Sequence, residues 1–219
     1  MGMKEFIYKP PSDPLEIIFQ DDHLLIVDKP SGLLSVPGKA IEHADCLETR
    51  LKSQFPDALS VHRLDMDTSG IMVFACNKVA QRHLGLQFEK RIIEKTYMAR
   101  VDGVVANDSG EINLPLIGDW PNRPLQMVDH ERGKPAMTQW RVLVREQNAT
   151  RIELSPKTGR SHQLRVHMKA IGHTILGDAF YGTAVQVAAA DRLQLHAQCL
   201  ALRHPIGGAW HRFAASVPF

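Results

Sequence analysis

The chain has 219 residues, 44% hydrophobic and 23% charged, with a formal net charge of +2; that length supports one sizeable core or two small domains. No apolar stretch approaches the roughly 20 residues of a membrane helix, and "MGMKEFIYKPPSDP" has no apolar signal core. Cys46, Cys76 and Cys199 are too few and too scattered for a disulfide framework or a CxxC metal knuckle, so the chain reads as cytoplasmic with reduced thiols.

Residues 1–15 are proline-rich with little periodicity and predict an irregular arm. "EIIFQDDHLLIVDKPSG" predicts two short strands about the Asp21-Asp22 turn, stopped by Pro30 and Gly32. Residues 46–54 predict a short helix, and "SGIMVFACN" a buried strand. Asn77 can cap a helix over 78–91 with Ala80, Leu84, Phe88 and Ile92 on one face. "KTYMARVDG" alternates as a strand, and residues 107–135 predict loops and hairpins. "AMTQWRVLVRE" and "TRIELSP" predict strands around a turn at 147–149. "SHQLRVHMKAIG" predicts a helix capped by Ser161 and ended by Gly172, with Leu164, Met168 and Ile171 facing the core. "QLHAQCLALRHP" and "HRFAAS" supply the last strands. Strands arrive in clusters and helices only occasionally, so the class is α+β with a largely antiparallel sheet.

Charge is spread unevenly. Residues 1–60 hold 6 Lys/Arg against 10 Asp/Glu, whereas residues 121–170 hold 10 against 4. A basic half suits an anionic partner such as RNA, although charge-rich stretches are often only solvated surface.

No GxGxxG, GxxxxGK or HExxH is present, so no nucleotide-cofactor or zinc-protease site is supported. His162 and His167 would stand about 140° apart on a helix, too far to share one metal. The chemistry is expected to run on side chains alone. "VHRLDMDTSG" places Asp65 and Asp67 at the mouth of the "IMVFAC" strand. An aspartic-protease turn fails, because Asp67-Thr68-Ser69-Gly70 has one residue too many. A glycosidase pair requires an extended segment where a turn is expected. Either acid could simply satisfy turn N–H groups.

The same stretch resembles the HRLDxxTSG signature of the RluA-type pseudouridine synthases. "HLLIVDKPSGLLSVPG" (23–38), "EKTYMARV" (94–101), "TGRSHQLRVHMKAIGHTILGD" (158–178) and "LQLHAQCLALRHP" (193–205) resemble the family's other motifs, in order. Within the family, "DWPNRP" (119–124) and "GKPA" (133–136) look like a dual-specificity member acting on ribosomal RNA and tRNA. Thr174 departs from the Pro usual after Gly-His, which should slightly loosen that turn.

The resemblance implies the pseudouridine synthase fold, a mostly antiparallel sheet with few helices and a catalytic cleft across it. Residues 16–219 would form one catalytic domain with no preceding S4 domain. The reaction breaks N1–C1′ of uridine and joins C5 to C1′, with one proton lost from C5 and one gained at N1. It requires no metal and no cofactor. Asp65 is assigned catalysis, by attack on C1′ or through a glycal, and Asp67 is left as a turn or surface acid. A catalytic carboxylate must be ionised, and Arg165 is nominated as its cation. Tyr97 would stack on uracil and help move the C5 proton. Arg63 would fill the space of the flipped base or hold its phosphate. Lys95, Arg123, Lys134, Lys157 and Arg160 are candidate phosphate contacts, and His62 either holds the loop through a hydrogen bond or takes a direct part in the chemistry. The expected partners are tRNA and 23S rRNA stem-loops, at uridine 32 and uridine 746, acted on by a monomer with no membrane contact. A fold that binds RNA without chemistry, or a glycosylase releasing uracil, are the alternatives.

Overall fold

The structure, a computed structural model, describes residues 8–219. Residues 8–15 form no helix or strand; the rest of the expected arm lies outside the described residues. Strands β1 (Glu16–Gln20) and β2 (Leu24–Lys29) pair antiparallel. Asp21 closes their turn, its Oδ1 accepting the N–H groups of His23 and Leu24 at 2.8 and 2.7 Å. Helix α1 (Leu47–Lys52) follows, capped by Cys46, then the short strand β3 (Leu59–Ser60) and strand β4 (Ser69–Ala75). Every residue of β4 is buried, because both faces of the sheet are covered here. Met72 and Phe74 pack with α1 residues Leu47 and Leu51. Ile71 and Val73 face the other way, toward Ala80 and Leu84 of helix α2 (Lys78–Glu89). Asn77 caps α2 as its side chain suggests, accepting Ala80 N–H at 2.9 Å.

Strand β5 (Glu94–Asp102) leads to β6 (Ser109–Asn113) and a small separate hairpin, β7 (Leu116–Gly118) with β8 (Gln126–Val128). Strands β9 (Met137–Arg145) and β10 (Ala149–Pro156) precede helices α3 (Gln163–Ala170) and α4 (Ala184–Ala188). Strands β11 (Leu195–Arg203) and β12 (Trp210–Ala214) end the fold. The main sheet runs β1-β2-β4-β11-β5-β10-β9-β6, with β3 beside β4 and β12 beside β11. Its pairs are antiparallel except β4 with β11. The fold is the expected α+β architecture.

The parallel pair positions the site. Gly70, Ala197, Tyr97 and Leu154 lie in one row across β4, β11, β5 and β10. Gly70 has φ +113, and a Cβ there would stand 2.3 Å from the Ala197 carbonyl oxygen. Only glycine lets the two backbones approach so closely. The loop carrying Asp65, which leads into β4, is thereby set one strand away from Tyr97 on β5, with β11 between.

Three local expectations are corrected. Helix α2 ends at Glu89; Arg91 turns left-handed at φ +57, and Ile92 leaves the helix exposed. The buried place goes to Gln87, whose amide exchanges hydrogen bonds with the Arg203 backbone at 2.7 and 2.9 Å. Helix α3 begins one residue later than expected: its N-cap is His162 at φ +53, not Ser161, and no side chain caps it. The 107–135 segment contains the expected hairpin but also β6, which pairs with β9 in the main sheet. Gly172, at φ +87, ends α3 as expected.

Candidate active site

Asp65 stands in the loop before β4, and residues 29–35 clamp that loop. Ser35 Oγ donates to the Leu64 carbonyl at 2.7 Å and accepts Leu64 N–H at 3.1 Å. Ser31 Oγ donates to the Asp67 carbonyl at 2.7 Å, and Gly32 N–H to that of Met66 at 3.0 Å. Lys29 is fully buried, its Nζ donating to the carbonyls of Pro30, Leu33 and Met66 at 2.9, 2.7 and 2.8 Å. Burial pushes its pKa down to about 7, against the pull of Asp67 and Asp65. Residues 29–35 therefore fix the backbone from Leu64 to Asp67.

Arg165 comes from the first turn of α3 and is only 2% exposed. Its Nη1 lies 3.4 Å from Asp65 Oδ2. Its Nε and Nη2 donate in a fork to Asp178 Oδ2 and Oδ1 at 2.8 and 2.6 Å. Burial opposes the charge on Arg165, but Asp178 and then Asp65 outweigh it and raise the guanidinium pKa. Asp178 Oδ1 also accepts the N–H groups of Phe180 and Tyr181 at 3.0 and 3.2 Å. Arg165 is thus a permanently charged, doubly anchored group facing the Asp65 carboxylate. Tyr97 lines the same cavity, and burial, then the Asp65 charge, raise its pKa so that the phenol keeps its proton.

This cavity, of about 310 Å³, brings together Asp65, Tyr97, Arg165, Arg63, Lys95 and Arg160. Arg63 is exposed and makes no hydrogen bond or ion pair among the described residues. Lys157 lines an adjoining cleft together with Lys95, Arg160 and Arg91, the last a cation that sequence reasoning passed over. Arg123 and Lys134 are not on either wall; both are exposed, Arg123 stacking on Trp120 at 3.2 Å. His62 holds the loop to β4, its Nε2 accepting Val73 N–H at 3.0 Å, and burial keeps it neutral with a pKa near 3. Asp67 is half-buried rather than a surface acid, and burial raises its pKa. Thr68 Oγ1 is buried with no hydrogen-bond partner among the described residues, on the cavity wall. Those residues contain no cluster of three metal-ligating side chains, and no helix long and apolar enough to cross a membrane.

The family model for RNA pseudouridylate synthase matches residues 23–170. The dual-specificity RNA pseudouridine synthase RluA of Vibrio vulnificus (strain CMCP6) is 55% identical over 94% of this chain and 84% of its own. That of Escherichia coli (strain K12) is 52% identical over the full length of both. The chain belongs to the RNA pseudouridylate synthase family. It is an isomerase that converts uridine in RNA to pseudouridine. The solved human RNA pseudouridylate synthase domain containing 1 superposes on the synthase with a TM-score of 0.81 at 28% identity, covering 96% of this chain and 87% of the other. The matched segment of the synthase contains Asp65, Tyr97 and Arg165 but stops short of Asp178. Sequence reasoning also missed that acid. Its one signal was the Gly-Asp pair ending the "GRSHQLRVHMKAIGHTILGD" segment, an acid after an apolar run.

Proposed function

We propose that Asp65 is the catalytic carboxylate of the synthase. The observation that carries this is Arg165 Nη1 at 3.4 Å from Asp65 Oδ2, with Tyr97 on the same cavity wall. A carboxylate beside a fixed cation stays ionised and oriented for work at the ribose. A flipped uridine enters the cavity, and Arg63 takes the place it leaves in the stack or holds its phosphate. Tyr97 stacks on the uracil and, being protonated, is suited to relay the C5 proton through its hydroxyl. Lys95, Lys157 and Arg160 contact the phosphates flanking that uridine, and Arg123 and Lys134 contact the RNA further out.

The substrates are tRNA and 23S rRNA stem-loops, at uridine 32 and uridine 746. The dual specificity in the relatives' names supports two RNA classes, and the "DWPNRP" and "GKPA" segments support these two. The catalytic unit is residues 16–219, as one domain. It works as a cytoplasmic monomer and without a cofactor. The decisive assay incubates the protein with unmodified tRNA and 23S rRNA transcripts and measures pseudouridine and free uracil. Pseudouridine at single sites without uracil release is expected. Released uracil would instead mean a glycosylase, and tight binding with neither product a non-catalytic RNA-binding protein.

Two further results are expected. Tyr97→Phe keeps the ring and loses the hydroxyl, so RNA affinity stays within about twofold while turnover falls by about 10². Equal losses in affinity and turnover would make Tyr97 structural. RNA affinity should also fall with salt at a log–log slope of about −3 to −5. That corresponds to four to six phosphate contacts at roughly −0.7 to −0.9 each. Arg160→Ala and Lys134→Ala should each flatten the slope by less than about one unit without changing which uridine is modified. Binding that ignores salt over a tenfold range would remove phosphate contacts from the proposal.

A further inference from the structure

We propose that His162 is a positioning residue of the reaction: a neutral imidazole whose Nε2–H, with Arg165, holds Asp65 Oδ2 so that Oδ1 is the oxygen presented to the ribose. The inference rests on the reading of Asp65 as the catalytic carboxylate. His162 sits at the N-cap of α3, where a side chain ordinarily accepts a helix N–H. It makes no such bond. Its backbone is left-handed at φ +53, a conformation non-glycine residues rarely adopt and one that recurs at functional sites. The side chain is carried into the cavity instead.

The neighbours of the ring fix its tautomer. Gln126 N–H donates to Tyr181 Oη at 2.9 Å, and Tyr181 Oη lies 2.6 Å from His162 Nδ1. Among the described residues Nδ1 is the one acceptor within hydrogen-bond reach of the Tyr181 hydroxyl, so the phenol proton is assigned to Nδ1 and the imidazole proton to Nε2. That nitrogen lies 3.8 Å from Asp65 Oδ2, the same oxygen that faces Arg165 Nη1. No hydrogen bond reaches Oδ1 among the described residues, so the two donors converge on one oxygen and leave the other open. Burial lowers the His162 pKa, which outweighs the pull of the Asp65 charge. A neutral donor orients the carboxylate without the loss of basicity that a second cation beside Arg165 would impose. The 3.8 Å gap is longer than a hydrogen bond, and such contacts in free enzymes commonly tighten when substrate binds.

The test compares His162→Asn, His162→Gln and Tyr181→Phe in steady-state kinetics on an unmodified tRNA transcript, with Asp65→Asn in parallel. Asn adopts the left-handed backbone readily and can still meet Tyr181, but it cannot reach Asp65. Gln places its Nε2 where the imidazole Nε2 stood. The expected result for His162→Asn is a fall in kcat of about 10- to 100-fold with KM within about twofold. His162→Gln should recover kcat to within about fivefold of the wild type, and Tyr181→Phe should lose about three- to tenfold. Unchanged kcat in His162→Asn, equal loss in Asn and Gln, or an effect on KM alone each overturn the proposal. If His162→Asn fails to fold, wild-type kcat in Tyr181→Phe overturns it, and reduced kcat at unchanged KM supports it. An active Asp65→Asn defeats the reading of Asp65 itself. An inactive Asp65→Asn beside a wild-type His162→Asn defeats only the role of His162.

Discussion

Asp65→Asn is expected to leave the synthase folded, able to bind RNA, and without turnover. The substitution keeps shape and volume and removes only the charge that acts at the ribose. The loop geometry does not depend on that charge. It is held through the carbonyls of Leu64, Met66 and Asp67 by Ser35, Lys29, Gly32 and Ser31. Arg165 does not become an orphan cation either, because its fork with Asp178 remains. Turnover should fall by about 10⁴-fold or more, the scale of losing a catalytic nucleophile, with melting temperature and RNA affinity close to wild type. Asp67→Asn is the paired control. Its side chain makes no hydrogen bond or ion pair among the described residues, and burial already disfavours its charge. Activity within about threefold of wild type is expected. A dead Asp67→Asn beside a working Asp65→Asn would reverse the assignment of the two acids.

Asp178→Asn should be the most destabilising single change at the site. Asp178 is 0% exposed and Arg165 2%, so the pair is buried whole. Removing one charge leaves a guanidinium in the core facing an amide that can accept only one of its two donated bonds. Breaking such a buried pair costs about 3–5 kcal/mol. In a domain of this size that is a fall in melting temperature of roughly 10 °C. Turnover should fall as well, because Arg165 would no longer be held against Asp65. The double variant Arg165→Met/Asp178→Asn separates the two effects. It should recover much of the lost stability, since no uncompensated charge remains, and recover none of the activity. A single variant with the wild-type melting temperature would show that water or another acid replaces Asp178, and the anchoring role would then be lost.

What the sequence by itself determined is the material of the fold and one member of each functional group. Periodicity and turn chemistry depend on near neighbours. The strands of β1, β2, β4 and β5, the Asn77 cap and the Gly172 stop were therefore legible. The ordered segments that resemble one family named Asp65, Tyr97 and Arg165, and the structure lines one cavity with all three. Only the tertiary structure decided which groups these residues meet. Asp65 and Arg165 are 100 residues apart in sequence. The acid that anchors Arg165 arrives from a later loop, and the lysine that clamps Asp65's loop arrives from β2. The local sequence of Lys29 and Asp178 offers at most an ionic residue at the end of an apolar stretch, which does not mark full burial, since ionic residues are ordinarily placed outside. Arg123 and Lys134 are candidates by charge and resemblance alone, and the fold sets them off the cavity wall, because charge along a chain does not specify a face. In sequence His162 is only a histidine at the start of a helix, too far around from His167 to share a metal. Its left-handed backbone is a feature of the folded chain, and the tyrosine that meets its ring comes from the loop after α3, for ion pairs and tautomers depend on neighbours in space.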